Sequence, residues 1–323
     1  GILQSPSAFA VELVDILRYS LQNDPTLQEA NANTEGAYND MKASKAGHYP
    51  TFSLTGQNVL AQRHTSDNSK MRDDLGIKSR LNLYAWGGIQ AAVERDKHKM
   101  AYYQYKYYET REELANTIST LYLTALRAKE SIAIAKRNIK RHEKFLADLR
   151  IISKYDPGRR SEKTQAESRY LQALSNEANL QKTLSVALSK LNKYSAKSLT
   201  EKDIVDPFGK QNADQLIASF DKAQAKEHPS VKAQESEYNS ALSDIKVNKA
   251  SRYPSINLEG SATHRDRSIA VTMSWDFYNK SSDYAVKKSH AVALSAKSRS
   301  DELLRDIQER AETAKVDMKQ NEH

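Results

Sequence analysis

The sequence predicts a mainly helical protein that carries four β-strands, with long coiled-coil helical hairpins joined to two strand pairs. Three observations support this fold class. Glycine and proline are scarce, at 10 and 7 residues in a chain of 323, which favours long helices over a loop-rich sandwich. A helix-to-strand segment occurs twice in the chain. A run of apolar residues follows the 3.5-residue period of a coiled-coil seam.

The repeated segment is KASKAGHYPTFSLTG (Lys42–Gly56), which returns as KVNKASRYPSINLEG (Lys246–Gly260). A single shift places Tyr49–Pro50 on Tyr253–Pro254 without a gap. In each copy a helix is predicted to end at this Tyr-Pro pair, because the residue before proline is driven towards extended geometry. An alternating stretch that is typical of a strand follows each pair.

A second landmark marks the return from strand to helix. The stretch NLYAWGG (Asn82–Gly88) is matched by DFYNKSS (Asp276–Ser282). Each copy is therefore predicted to contain helix, helix, strand, loop, strand and long helix. We interpret the chain as a duplication, with a first repeat over residues 1–191, a linker over 192–211 and a second repeat over 212–323.

The strand pairs are predicted over residues 51–61 and 75–85 in the first repeat, and over 255–263 and 268–278 in the second. Apolar and polar residues alternate along them, as on a strand with one apolar face. The last strand shows the pattern without interruption. Its apolar face consists of Ile269, Val271, Met273, Trp275 and Phe277.

The long helical hairpin is predicted over residues 88–191. Its first helix begins after Gly87–Gly88 and continues to about Tyr155, on the order of 100 Å at 1.5 Å per residue. The turn YDPGRRSE (Tyr155–Glu162) then reverses the chain, with Ser161 as a candidate N-cap. The predicted seam consists of Leu114, Ile118, Leu121, Ala125, Ala128, Ile132, Ala135 and Ile139, and continues on the returning helix at Leu180, Leu184, Ala187 and Leu191.

Two arrangements would bury the apolar faces of the strands. The strands could pack on the helices as an α+β core, or several chains could pool them into a closed transmembrane barrel with the apolar faces towards lipid. Alternation alone does not separate the two, but such long helices cannot cover only a small sheet, which favours the barrel. In a barrel, Trp86 and Trp275 would lie in an aromatic belt at the lipid–water boundary; in a soluble protein they would cap the core.

The paired Tyr-Pro exits, the two strand-to-helix joints and the hairpin turn, in this order along nearly the whole chain, resemble the TolC family of outer-membrane channel proteins of drug efflux and type I secretion. The resemblance implies a homotrimer in the outer membrane of a Gram-negative bacterium. Each chain would give four strands to one twelve-stranded barrel, and the helices would form a periplasmic tunnel. The implied activity is that of a passive conduit.

The same resemblance implies two protein partners, a periplasmic adaptor and an inner-membrane transporter. In the family the tip of the helical hairpin meets the adaptor. The corresponding residues are Tyr155, Asp156, Pro157, Gly158, Arg159, Arg160 and Ser161.

One departure from the family concerns the second repeat. The chain stops at RDIQERAETAKVDMKQNEH without a counterpart of YDPGRRSE, so a second hairpin and its gating residues are expected to be missing from this sequence. The alternative function is that of a soluble, elongated coiled-coil adaptor or scaffold of the periplasm.

Several other classes of protein are not expected. The formal net charge of +8 is dispersed among acidic residues without a basic run interleaved with aromatics, which argues against a nucleic-acid partner. The chain has no cysteine, and its 8 histidines are scattered without the spacing of metal ligands. No nucleophile and base occur in a catalytic context. We therefore expect no enzyme activity, no cofactor and no metal site.

Overall fold

The computed structural model describes residues 13–63, 74–206 and 228–321. These residues form six α-helices and one four-stranded antiparallel sheet. The helices are α1 (Leu13–Asn23), α2 (Pro25–Lys45), α3 (Gly88–Tyr155), α4 (Arg160–Asn192), α5 (Pro229–Ala250) and α6 (Lys280–Asn321). The strands are β1 (Thr51–Gln57), β2 (Asp74–Tyr84), β3 (Ser255–Thr263) and β4 (Arg267–Ser274).

The order helix, strand, strand, long helix therefore occurs twice among these elements. The contacts divide the chain into two units, one of residues 1–28 and 110–226 and the other of residues 29–109 and 227–323. Among the described residues, the second unit combines parts of both predicted repeats, with both strand pairs. The repeat and linker boundaries at 191 and 211 remain a prediction.

The core of the first unit follows the predicted coiled-coil seam of α3. Six of the eight predicted seam positions are buried, and the other two, Leu121 and Ile139, are half-buried. On α4, Leu184, Ala187 and Leu191 are buried and Leu180 is half-buried. The buried seam residues of α3 are Leu114, Ile118, Ala125, Ala128, Ile132 and Ala135.

The seam also buries Tyr122, which the apolar pattern did not predict. Its hydroxyl donates a hydrogen bond to the carbonyl oxygen of Val205 at 2.7 Å and accepts one from the amide of Val205 at 3.0 Å. A tyrosine can be fully buried when its hydroxyl is satisfied in this way. The pair fixes the described part of the predicted linker against α3, and Lys129 adds a hydrogen bond to the carbonyl oxygen of Ile204 at 2.7 Å.

The sheet belongs to the second unit and has the strand order β1–β2–β3–β4. Its middle pair joins the two repeats, with Leu81 opposite Leu258 and Ile77 opposite Ala262. A register shift lies between Asn82 and Tyr84, so Tyr84 pairs with Ile256 and takes the same face as Leu81. Strands β1 and β4 are the edges of the sheet.

Three predicted boundaries need correction. The last strand was predicted to reach residue 278 but ends at Ser274, because its pairing partner β3 begins at Ser255, directly after Pro254. The first strand ends at Gln57 rather than at residue 61, and residues 64–73, between the first two strands, lie outside the described residues. Ser161 is not an N-cap but lies inside α4.

Candidate functional site

The sheet has one apolar and one polar face, and both follow from the register. The apolar face is exposed to a degree that is unusual for large hydrophobic side chains: Phe52 is 73% exposed, Val271 67% and Ile269 81%. The strands therefore do not pack their apolar side on the helices, and the α+β interpretation fails. The apolar side chains of this face, which also carries Ser79 and Arg267, are Phe52, Leu54, Leu75, Ile77, Leu81, Ile256, Leu258, Ala262, Ile269, Val271 and Met273.

The opposite face carries small, hydroxyl, amide and charged side chains. Across β2 and β3, Arg80 lies 3.9 Å from Glu259, and the amide of Asn82 donates to the side-chain oxygen of Asn257 at 3.1 Å. Cross-strand polar pairs of this kind stabilise a sheet on its wet side. On β4 the face consists of Ser268, Ala270, Thr272 and Ser274.

The joints between helices and strands repeat one local geometry. The amide of Tyr49 donates to the carbonyl oxygen of Ala46 at 2.9 Å, and that of Tyr253 donates to the carbonyl oxygen of Ala250 at 3.2 Å. Tyr49 is extended, with φ −98° and ψ 151°, as the residue before a proline should be. The predicted helix stops at Tyr49–Pro50 and Tyr253–Pro254 are confirmed.

The return joint after β2 uses two consecutive positive φ angles, 58° at Trp86 and 77° at Gly87. Glycine adopts this region freely, whereas a tryptophan does so only when other contacts hold it. Those contacts are present: the Trp86 indole donates to the carbonyl oxygen of Pro254 at 2.7 Å, and its ring lies 5.1 Å from that of Tyr253 and 5.0 Å from that of Tyr84. Gly88 then begins α3.

The return joint after β4 is built in a similar way. The indole of Trp275 donates to the carbonyl oxygen of Arg252 at 3.0 Å, and the Arg252 guanidinium pairs with Asp283 at the start of α6. The ring of Phe277 lies 6.0 Å from that of Trp275. Both tryptophans thus hold the exit from α5 to β3. The sequence predicted Trp86 and Trp275 near strand ends but not this shared attachment.

Next to the joints, a partly buried polar network links helices α2, α3 and α5. Arg95 donates to Asp96 at 3.1 Å and to Asp244 at 3.0 Å, and the hydroxyl of Ser44 donates to Asp96, which is buried. Partial burial alone would lower the pKa of Arg95, but the hydrogen bonds to the two carboxylates outweigh it and the pKa is raised. The network keeps a charged group inside the helix packing because each member has a partner.

The hairpin turn between α3 and α4 presents its residues to solvent. Tyr155 is 87% exposed. Asp156 accepts a hydrogen bond from the amide of Gly158 at 3.1 Å and lies 3.7 Å from the guanidinium of Arg159, so it caps the short 3-10 turn Pro157–Arg159. All seven predicted tip residues are exposed, Arg160 and Ser161 included. Their contact with an adaptor stays a prediction from the sequence.

Two further properties of the described residues concern other kinds of site. None of the helices within residues 13–63, 74–206 and 228–321 is both long and apolar enough to cross a membrane. Within the same ranges, no group of three or more His, Cys, Asp or Glu side chains is placed so that it could hold a metal ion.

Comparisons with solved structures show the fold. The chain superposes on the outer membrane protein VceC of Vibrio cholerae with a TM-score of 0.74 and 14% identity, over 91% of this chain and 75% of that one. The Campylobacter jejuni outer membrane channel CmeC gives 0.73 and 14%, over 91% and 68%. The open state of the Neisseria gonorrhoeae outer membrane channel MtrE gives 0.70 and 16%, over 94% and 76%.

Sequence comparison identifies the family. No curated protein sequence matches the chain significantly. The family model for outer membrane efflux proteins, however, matches residues 16–196, more than half of the chain. With the channel fold, this match confirms the resemblance to TolC-family proteins. The chain belongs to the outer membrane efflux protein family, and it is an outer-membrane exit duct of an efflux pump.

Proposed function

We propose that three copies of the chain assemble into one passive duct, whose barrel crosses the outer membrane and whose helices form a tunnel in the periplasm. The observation that carries the proposal is the exposed apolar face of a sheet whose other face is polar. Facing lipid with one side and water with the other is the pattern of a transmembrane barrel wall.

The edges of the sheet support assembly from several chains. Among the strands that the structure describes, β1 and β4 are each paired on one side only. A spanning barrel leaves no edge open, because unpaired backbone groups are not tolerated in lipid. Four strands are too few to close alone, so β4 of one chain would pair with β1 of the next.

The helices also leave apolar side chains for neighbours. In a single chain the seam of α3 is buried, but a second set of large hydrophobic side chains on α3 and α4 is exposed. Burial of these side chains against neighbouring chains would follow the same coiled-coil principle as the seam. The set includes Ile134, Phe145, Ile151, Leu171 and Val186.

Docking on a periplasmic adaptor and an inner-membrane transporter is proposed for the hairpin tip. The support is the exposure of Tyr155, Arg159 and Arg160 on a turn that Asp156 caps. A pre-ordered turn loses little entropy when it binds. The duct itself would carry out no chemistry, and the transporter would choose what passes.

The native mass of the purified protein tests the proposal. It should be measured in mild detergent and in detergent-free buffer, followed by conductance in a planar bilayer. A trimer that stays soluble only in detergent and conducts supports the duct. A monodisperse monomer in plain buffer overturns it and leaves the soluble coiled-coil scaffold.

A further inference from the structure

A basic pocket lies beside the Trp86 joint, and neither the barrel nor the tip accounts for it. Its volume is about 770 Å³. Helices α2, α3 and α5 each contribute lysines to its lining: Lys45 from α2, Lys97 from α3, and Lys246 and Lys249 from α5. All of these residues belong to one compact unit.

The described parts of the chain hold no acidic partner for the four lysines. Within the described parts of the chain, none of their ammonium groups lies within the 4.0 Å of a carboxylate that defines an ion pair. Glu94 is the one carboxylate among the residues that line the pocket, and His48 lines it as well. Like charges repel at short range, so this arrangement favours an anion between them.

The pocket is linked to the apolar face of the sheet through its aromatic residues. Trp86 and Tyr253 line it, and the ring of Trp86 also packs on Tyr84, which shares the exposed apolar face through its pairing with Ile256. A neighbouring cavity, which shares Ala250 and Tyr253 with the pocket, is lined in addition by Ser255 and Ser274 of the polar face. From the sheet towards the helices, the order is therefore apolar face, aromatic cluster, lysine pocket.

This order matches the layers of a bilayer surface. Tryptophan and tyrosine prefer the boundary between hydrocarbon and headgroups, and lysines beside that boundary attract anionic lipids. A phosphate group is a strong acceptor for several ammonium donors at once. The neighbouring apolar face favours a lipid over free phosphate, because the acyl chains of a lipid would lie along that face and free phosphate would make no use of it.

We propose that this pocket binds the phosphate headgroup of an anionic lipid from the membrane leaflet on the helix side of the barrel, one lipid per protomer. The proposal rests on the proposed function, because it requires the apolar face to lie in lipid. Bound lipid would fix the depth of the barrel in the membrane at the point where strands become helices.

The test compares the full-length protein with the quadruple variant Lys45→Gln/Lys97→Gln/Lys246→Gln/Lys249→Gln. A control variant carries the same change at four exposed lysines of α3 and α4, Lys136, Lys140, Lys144 and Lys190. Each protein is reconstituted with mixed phosphatidylglycerol and phosphatidylethanolamine, and retained lipid is counted by native mass spectrometry. Soluble glycerol 1-phosphate is titrated in parallel.

We expect the wild type and the control to retain phosphatidylglycerol selectively. The pocket variant should retain at least about tenfold less of it, because each lysine adds attraction to anionic lipid. Equal retention by the pocket variant, with trimer formation and conductance intact, overturns the lipid site but leaves the duct standing. If glycerol 1-phosphate binds as tightly as the lipid, the proposal of a lipid ligand is overturned, and the pocket is a site for a free phosphate. Failure of the wild type to form a detergent-dependent trimer overturns both proposals.

Discussion

The indole N–H of Trp86 donates a hydrogen bond to the carbonyl oxygen of Pro254 at 2.7 Å, and so ties the end of β2 in the first repeat to the start of β3 in the second. Trp275 holds the neighbouring carbonyl of Arg252 at 3.0 Å. The passage from helix to strand is thus fixed by two tryptophan contacts, one between the repeats and one within the second repeat, and not by the Tyr-Pro signals alone.

Trp86→Phe should weaken this attachment, because it keeps an aromatic ring but removes the donor to Pro254. We expect a loss of about 0.5–1.5 kcal/mol, the usual net value of one hydrogen bond, read from thermal unfolding of the detergent-solubilised protein. Tyr278→Phe, at an exposed ring, serves as control and should change nothing. Equal stability of the Trp86 variant and the wild type would show that the indole contact is dispensable.

Val271→Arg tests the lipid-facing side of the sheet. At mid-depth in a bilayer, an arginine on this face should destabilise the barrel by about 2–4 kcal/mol or prevent insertion. In water the same change should be tolerated, because Val271 is already exposed in the single chain. Membrane insertion is measured by the fraction of protein that folds into liposomes.

The matched control for Val271→Arg is Ala270→Arg, one residue away on the polar face of β4. Since that face is proposed to meet water, this variant should insert like the wild type. Insertion of both variants, or of neither, would contradict the assignment of the two faces.

Arg159→Glu/Arg160→Glu tests the hairpin tip. Both side chains are exposed, and reversal of their charge should lower the affinity for the adaptor by about tenfold or more, as loss of a central arginine contact commonly does. Binding is measured with the purified adaptor, and Lys190→Glu on the exposed side of α4 is the control. Unchanged affinity in the tip variant would place the docking surface elsewhere.

Arg95→Gln tests the polar network next to the joints. It leaves the buried carboxylate of Asp96 without its guanidinium partner, which should cost about 1–3 kcal/mol. Arg305→Gln removes an exposed pair with Glu302 within α6, where solvent screens the charges, and should leave the unfolding temperature unchanged. A larger loss in the Arg305 variant would contradict the structural role of the network.

The two faces of the strands and the seam of α3 could be predicted from the sequence, because both depend on local periodicity. It did not predict that Tyr122 is buried, since that depends on its partner Val205. The link from Arg95 to Asp244 spans 149 positions, and no spacing rule brings the two together. At the hairpin, Asp156 caps a 3-10 turn that the sequence did not predict. Helix α4 begins directly after this turn, so Ser161 lies inside the helix and not at its N-cap.

The central claim is that β1 of one chain pairs with β4 of another, and disulfide cross-linking tests it most directly because the chain has no cysteine of its own. Ser53→Cys on β1 is combined, in separate variants, with Ser268→Cys, Ala270→Cys, Thr272→Cys or Ser274→Cys on the same face of β4. Within one chain, three strand spacings of about 4.8 Å separate the two edges. That separation is too large for a disulfide, which requires Cα atoms within about 7 Å.

Oxidation in the membrane should convert at least one of these double variants into a covalent trimer that a reductant returns to monomer, while Ser53→Cys alone stays monomeric. Only monomers in all four variants, or open-ended polymers without a closed trimer, would contradict the shared barrel.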